Sequence, residues 1–447
     1  MKKIQVFRTE LEGKSRLDQV FSGQMEKESM DPLEYVENQV INIYPEQSYE
    51  SFLGFGGAFT ESAGYCFSKL TGEEKQRLAR LYFDKELGIG YSFGRIHMNS
   101  CDFSLGNYAC CQEESPQLEG FSIERDKQYI LPFIKYCQRC GDITFLMSPW
   151  SPPAWMKDNG EMNHGGALLP EYRALWAEYY IRFLRLYQKE GVPIGYLSVQ
   201  NEPYAVQTWD SCLYSAKEEG EFVRDYLGPA LEKSEFHDVK VLVWDHNKER
   251  AFEHVKEIFA DKEASKYIWG TAFHWYSGDH FEALDLIRKN WPDKSLMMTE
   301  CCVDLTCPSQ STAAERYAHE IIGDLRNGTR AFLDWNLLLD EEGGPNHVGN
   351  FCDAPIRMNT KTGKLDVRLS YYYIGQFSRF LPAGSVRTAS TGYSEDLEHI
   401  AFGRPDGSTA LMLLNRRDYD LPVIVRMDGW WKTLEAPAHS LSTVLIE

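Results

Sequence analysis

No apolar run of about 18 residues occurs anywhere in the 447-residue chain, so nothing in it reads as a membrane-spanning helix. Basic residues are scarce beside acidic ones: 47 Lys and Arg against 66 Asp and Glu leave a formal charge of −19. That balance argues against nucleic acid and anionic membrane surfaces as partners, because phosphate contacts need clustered Lys and Arg. The opening MKKIQVFRTELEGKSRL carries lysines, but Arg8, Glu10, Glu12 and Lys14 interrupt any apolar stretch after them, so it does not read as a secretory leader. Repeats and low-complexity tracts are missing as well. Cys137-x-x-Cys140 has no second pair to match it, and a zinc site of four thiols needs two. The eleven cysteines therefore read as reduced thiols of a cytoplasmic protein.

What is present is a rhythm. Short apolar runs recur at 52–57, 93–98, 143–148, 196–201, 241–246, 271–276, 295–300 and 331–336. Each is near-continuous rather than alternating, as expected for parallel strands buried on both faces. Helical patterns fill the gaps. Thr71 with Glu74 forms a candidate capping box. The stretch EYRALWAEYYIRFLRLYQKEG places Leu175, Tyr179, Phe183 and Leu186 on one face, with Gly191 as a stop. YILPFIKYCQRC reads as an amphipathic helix, which makes Cys137 and Cys140 structural thiols. Eight strands alternating with helices predict an α/β fold, a (β/α)8 TIM barrel, with a doubly wound open sheet as the alternative. Both ends break the rhythm: IQVF and VINIY alternate early, SVRTAS, HIAFGR, TALMLLN, VIVRM and STVLIE late, with Pro405-Asp406-Gly407 and Asp428-Gly429 as turns. The expected organisation is N-terminal strands over 1–50, the barrel over 51–383 and C-terminal strands over 384–447, the two ends making one β-sandwich side domain.

In such a barrel the chemistry sits at the C-terminal ends of the strands. The run ends here are Cys101-Asp102-Phe103, Ser148-Pro149-Trp150, Asn201-Glu202-Pro203, Asp245-His246-Asn247, His274-Trp275-Tyr276, Thr299-Glu300 and Asp334-Trp335-Asn336. Polar, aromatic and acidic residues thus crowd one end of the barrel. Two glutamates, Glu202 and Glu300, close the fourth and seventh runs and would face each other across the mouth. A pair of carboxylates about 5–5.5 Å apart is what a retaining glycosidase uses. One attacks as the anion; the other, its pKa raised by burial and by its neighbour's charge, protonates the leaving oxygen. His97, His246 and His274, with Asp245 or Asp102, could be imagined as metal ligands, but a histidine that orients a carboxylate is the commoner case. GFGG at 54–57 lacks the third glycine of a dinucleotide fingerprint.

Taken together, GFGGAFTES, SCDFS, SPWSPPAWMK, QNEP, FHWY, TE and DWNLLLDEEGGPNHVGNF resemble, in order, the motifs of glycoside hydrolase family 30, the glucosylceramidase family. The terminal β segments resemble that family's side domain. The resemblance implies Glu202 as acid/base and Glu300 as nucleophile in a double displacement that needs no cofactor and no metal. It implies Asn201 on the sugar 2-hydroxyl, Tyr276 beside the nucleophile, Trp150 and Trp335 as apolar walls, and Asn350 and His274 nearby. Glu61 stands where the family usually has an aspartate bridging distal hydroxyls. Asp102 either touches the sugar or supports a strand top. The implied substrate is a β-glucoside, as a small carbohydrate or a glycolipid. β-Xylosidase, β-fucosidase or β-galactosidase and β-1,6-glucanase are the enzymatic alternatives. A carbohydrate-binding protein without catalysis would be expected to lack one of the two glutamates, and a metal-dependent hydrolase would be stopped by a chelator. The sequence leaves the oligomeric state open.

Overall fold

The computed structural model describes residues 2–11, 15–27 and 39–447; residues 1, 12–14 and 28–38 lie outside it. Eight parallel strands close into a barrel: β1 Gly54–Ala58, β2 Phe93–Met98, β3 Thr144–Pro149, β4 Ile194–Ser198, β5 Lys240–Asn247, β6 Ile268–His274, β7 Ser295–Glu300 and β8 Thr329–Asn336. Closure is decided by β8 pairing with β1, Ala331 opposite Gly54 and Phe332 opposite Phe55. An open doubly wound sheet is thereby excluded. Gly56 shows why the first run is glycine-rich: a Cβ there would fall 2.3 Å from the Phe93 carbonyl oxygen, so the close approach of β1 to β2 admits no side chain.

Inside the barrel, strand alternation separates two layers. The lower is apolar: Phe93, Leu146, Leu242, Ala272, Met297, Ala331 and Leu333 form one cluster, with Tyr196 against it. Two residues further along, the same strands turn polar, with Arg95 after Phe93, Ser148 after Leu146, Ser198 after Tyr196 and Thr299 after Met297, all fully buried.

Outside the strands, helix Gly72–Phe83 begins at Thr71, whose side chain accepts from the Glu74 N–H. The reciprocal bond of a capping box is replaced, because the Glu74 carboxylate is taken by Lys364 and Arg77. Helix Arg173–Lys189 buries Trp176, Tyr180, Phe183 and Tyr187, a stripe turned slightly from the expected one and leaving Leu175 and Leu186 half-buried. Gly191 follows with φ +79°, the left-handed stop that glycine permits.

Among the described residues, the two chain ends build one ten-stranded hydrogen-bonded sheet. Lys3–Glu10 pairs with Ser440–Ile446, and Val40–Ser51 pairs with both Val386–Gly392 and Leu421–Met427. Thr409–Asn415 is buried along its whole length because both of its faces are covered. Leu411 and Leu413 point into the side domain's own core, while Ala410, Met412 and Leu414 join the barrel's outer core. Helix Leu369–Ser378 is the seam: its Gln376 amide donates to Thr9, and its backbone oxygen accepts from Thr443.

Candidate active site

Arg95 is the centre of the polar layer. A guanidinium buried in a strand interior is tolerable only when its donors are matched by anions, and here they are. One terminal nitrogen donates to Glu300 Oε2. The other donates to Asn201 Oδ1 and Asp245 Oδ2, both at 2.9 Å, and Nε donates to Ser148 Oγ at 3.1 Å. Asp245 also receives His274 Nε2 at 3.1 Å and the hydroxyls of Ser198 and Thr299. This shell holds the Asp245 carboxyl far below the usual carboxylate range, against the upward push of burial, with the Arg95 charge the largest opposing cause.

Regular alternation would not put Asp245 there. Leu242 faces inward, so Trp244 should follow it; instead the pairing of β5 with β6 slips between Ala272–Trp244 and Phe273–His246. Trp244 and Asp245 both take left-handed backbone conformations, φ +76° and +48°. This β-bulge turns Asp245 into the barrel and sends Trp244 out to the helical layer. Glu202 is left-handed as well, φ +48°, and its N–H donates to the Asp245 carbonyl at 2.9 Å. Non-glycine residues held in this region cost of order 1–3 kcal/mol and collect where a side chain must be aimed.

Glu202 and Glu300 are joined through this network. His274 lies 3.2 Å by Nδ1 from Glu202 Oε1 and reaches Asp245 through its other nitrogen. Tyr276 donates its hydroxyl to Glu300 Oε1 at 3.0 Å, beside the nucleophile candidate as expected. Burial opposes a charge on His274, but the carboxylates of Glu300, Asp245 and Glu202 outweigh it and push the ring up to about 9. The expectation that Glu202 carries the raised pKa is overturned. Burial raises it, yet the His274 hydrogen bond prevails and the net direction is down. Burial, with the Glu202 charge, pushes Glu300 upward, and it prevails over the opposing charges of His274 and Arg95, so the net direction is up.

Other expected sugar contacts are placed differently. His274 is fully buried with both ring nitrogens engaged, so it stands behind Glu202 rather than on the sugar. Trp150 and Trp335 are not separate walls: they stack at 5.2 Å and 21° into one slab under the Arg95 guanidinium. Glu61 does not open onto the site either. It is the first residue of helix Glu61–Lys69, its carboxylate held by Arg125 and by the Leu105 N–H. The longer side chain lets it reach Arg125, and the helix N-terminus favours the charge. Asn201 keeps its amide N–H free of Arg95, which takes only its oxygen. Asn350 Nδ2 donates to Asp102 Oδ2 at 2.9 Å. Burial pushes the Asp102 carboxyl up to about 8, which favours its protonated form, able to donate one hydrogen bond. Arg95 was missed as a site residue; the available signal was a lone arginine in an apolar run. Cys137 and Cys140 lie at the end of helix Ile130–Cys137, and all eleven cysteines are free.

Residues 52–381 match the Glycosyl hydrolase family 30 TIM-barrel domain, and residues 384–444 match that family's beta sandwich domain. The chain belongs to glycosyl hydrolase family 30. It is a glycoside hydrolase on a TIM barrel with a β-sandwich beside it. The mouse (Mus musculus) lysosomal acid glucosylceramidase is 33% identical over 430 residues, covering 91% of this chain and 83% of the mouse protein. The crystal structure of SrfJ from Salmonella typhimurium superposes with a TM-score of 0.95 at 36% identity, covering 100% of this chain and 99% of that one. The endo-β1,6-glucanase BT3312 superposes with a TM-score of 0.90 at 26% identity, with 99% of each chain covered.

Proposed function

We propose that this hydrolase is a retaining β-glucosidase in which Glu300 is the nucleophile and Glu202 the acid/base. The observation that carries the reading is the single buried network linking the two carboxylates at the tops of β4 and β7 through His274, Asp245 and Arg95. Arg95 and Tyr276 donate to the two Glu300 oxygens, which works against the upward push of burial and toward the anion that must attack the anomeric carbon. Glu202 must deliver a proton to the leaving oxygen. In the free protein that proton rests on His274, whose Nδ1 faces Glu202 Oε1; it passes to Glu202 as the glycosidic oxygen draws it away. The bond between Glu300 and the sugar forms as the aglycone leaves. In the second half Glu202 takes a proton from water, whose oxygen displaces Glu300 with net retention. Asn201 offers its N–H to the 2-hydroxyl, and Asp102 with Asn350 serves the distal hydroxyls.

The substrate we propose is a β-glucoside, small or lipid-linked, handled in the cytoplasm, where eleven free cysteines stay reduced. The likeness to an endo-β1,6-glucanase favours one second reading, a β-1,6-linked glucan. The test compares an aryl β-glucoside, glucosylceramide and a β-1,6-glucooligosaccharide as substrates, following the anomer released by NMR. A β-anomer as first product is expected, and an α-anomer overturns retention. With Glu202→Ala, azide should restore turnover of the aryl glucoside as a β-glucosyl azide, while the azide-free rate on unactivated glycosides falls about 10²–10⁴-fold. Full activity of Glu202→Ala on an unactivated glycoside overturns the assignment.

A further inference from the structure

Three ligand-type atoms converge beside the acid/base carboxylate: Glu202 Oε1, His246 and His274, all within 4.8 Å of one another, the only such group among the described residues. Glu202 Oε1 lies 3.2 Å from His274 Nδ1 and 3.6 Å from His246 Nδ1. Ligands bound about 2.1 Å from a tetrahedral Zn²⁺ sit roughly 3.4 Å apart, so two of the edges already have that length. The His246 Nδ1 atom is buried and has no hydrogen-bond partner, a cost that a bound ion would remove. Its ring is steadied against Trp244, centroids 5.2 Å apart. His274 has the support that zinc-binding histidines have: its far nitrogen is on a carboxylate, Asp245, which fixes the near one toward the site. Glu202 keeps partial solvent exposure, 14% of its side chain, so a fourth position stays open to water.

We infer that Glu202, His246 and His274 form a binding site for a divalent transition ion of the zinc class, and that its occupancy switches the hydrolase off. Two imidazoles and one carboxylate suit Zn²⁺, Co²⁺ or Ni²⁺ and discriminate against Mg²⁺ and Ca²⁺, which prefer all-oxygen shells. The ion takes the place of the proton shared between His274 Nδ1 and Glu202 Oε1, and that proton leaves to solvent. Glu202, as a ligand, can then neither protonate a leaving group nor activate water. Inhibition rests on the proposed role of Glu202; binding does not.

The experiment uses the full chain, stripped with chelator and dialysed against zinc chloride in a non-coordinating buffer, with bound metal counted by elemental analysis. One zinc per chain is expected, aryl β-glucoside hydrolysis falling in step with occupancy and returning with EDTA. His246→Gln and Glu202→Gln should each weaken zinc binding about tenfold or more. Cys352→Ser, in the thiol pair Cys302–Cys352 with sulfurs 3.1 Å apart, should leave it unchanged. Cobalt in place of zinc should give a visible d–d band in the wild type that His246→Gln loses. Zinc absent from the wild type overturns the site, as does zinc retained by both His246→Gln and Glu202→Gln or lost from Cys352→Ser. Stoichiometric zinc with undiminished hydrolysis overturns the switch. If no glycoside is hydrolysed at all, the substrate reading fails while metal counting still decides the site.

Discussion

Arg95 and Lys248 are both fully buried cations, each held between two carboxylates. Lys248 sits between Glu320 and Asp324 of helix Gln310–Arg326, behind the barrel wall. Arg95 sits between Asp245 and Glu300 inside it. The difference lies in where the charge leads. The Lys248 cluster is sealed, with its acids at 2% exposure or less, whereas the Arg95 network runs out to Glu202, Glu300 and the half-exposed Tyr276. Buried charge alone is thus no mark of catalysis, since ion pairs of this kind also serve structure. What marks the site is buried charge with an outlet to solvent on one side and a bulged strand aiming it on the other.

The largest expected effect tests the outlet. Glu300→Gln should lower hydrolysis on the order of 10⁴-fold or more while the melting temperature stays at or above that of the wild type; an active variant would remove Glu300 from the nucleophile role. Next comes the pair of cations. Arg95→Met and Lys248→Met should each destabilise by about 3–5 kcal/mol, because each strands buried carboxylates. Only Arg95→Met should also lower kcat of the folded fraction. Equal loss of kcat in both would erase the distinction between the clusters. Glu61→Ala is a smaller change, about 1–3 kcal/mol of stability from the lost Arg125 and Leu105 contacts, with kcat/KM nearly unchanged, as steady-state kinetics beside a urea titration would show. The pH profile is the finest probe. His274 is charged below about 9 and neutral above it, so kcat/KM should fall as pH rises through that value, by about tenfold per unit once past it. On the proposed mechanism the acid limb should follow Glu300, whose protonation at low pH removes the anion. An alkaline limb that persists unmoved in His274→Gln would assign it to another group.

Much of this was legible in the residues. The apolar runs fell on all eight barrel strands, and Glu300 and Glu202 were visible because one closes such a run and the other directly follows one. The stretch TALMLLN was readable as a strand, but its burial on both faces depends on what packs there. Asp245 was visible only as a polar residue at a strand top; its inward turn depends on a bulge, and a one-residue slip reverses every side chain beyond it. The extra methylene of Glu61 was visible against the family's usual aspartate, but the partner to which it carries the carboxylate, Arg125, 64 residues away, was not.

Local preference by itself determined the strand and helix rhythm, the barrel class, and two glutamates at one rim, because periodicity and strand-end position are properties of consecutive residues. The tertiary structure alone decided which cation each carboxylate meets, which histidine stands between Glu202 and Asp245, and which ring nitrogen is buried without a hydrogen-bond partner. Those are electrostatic balances among groups brought together from five different strands, and their sum has no counterpart in the order of the chain.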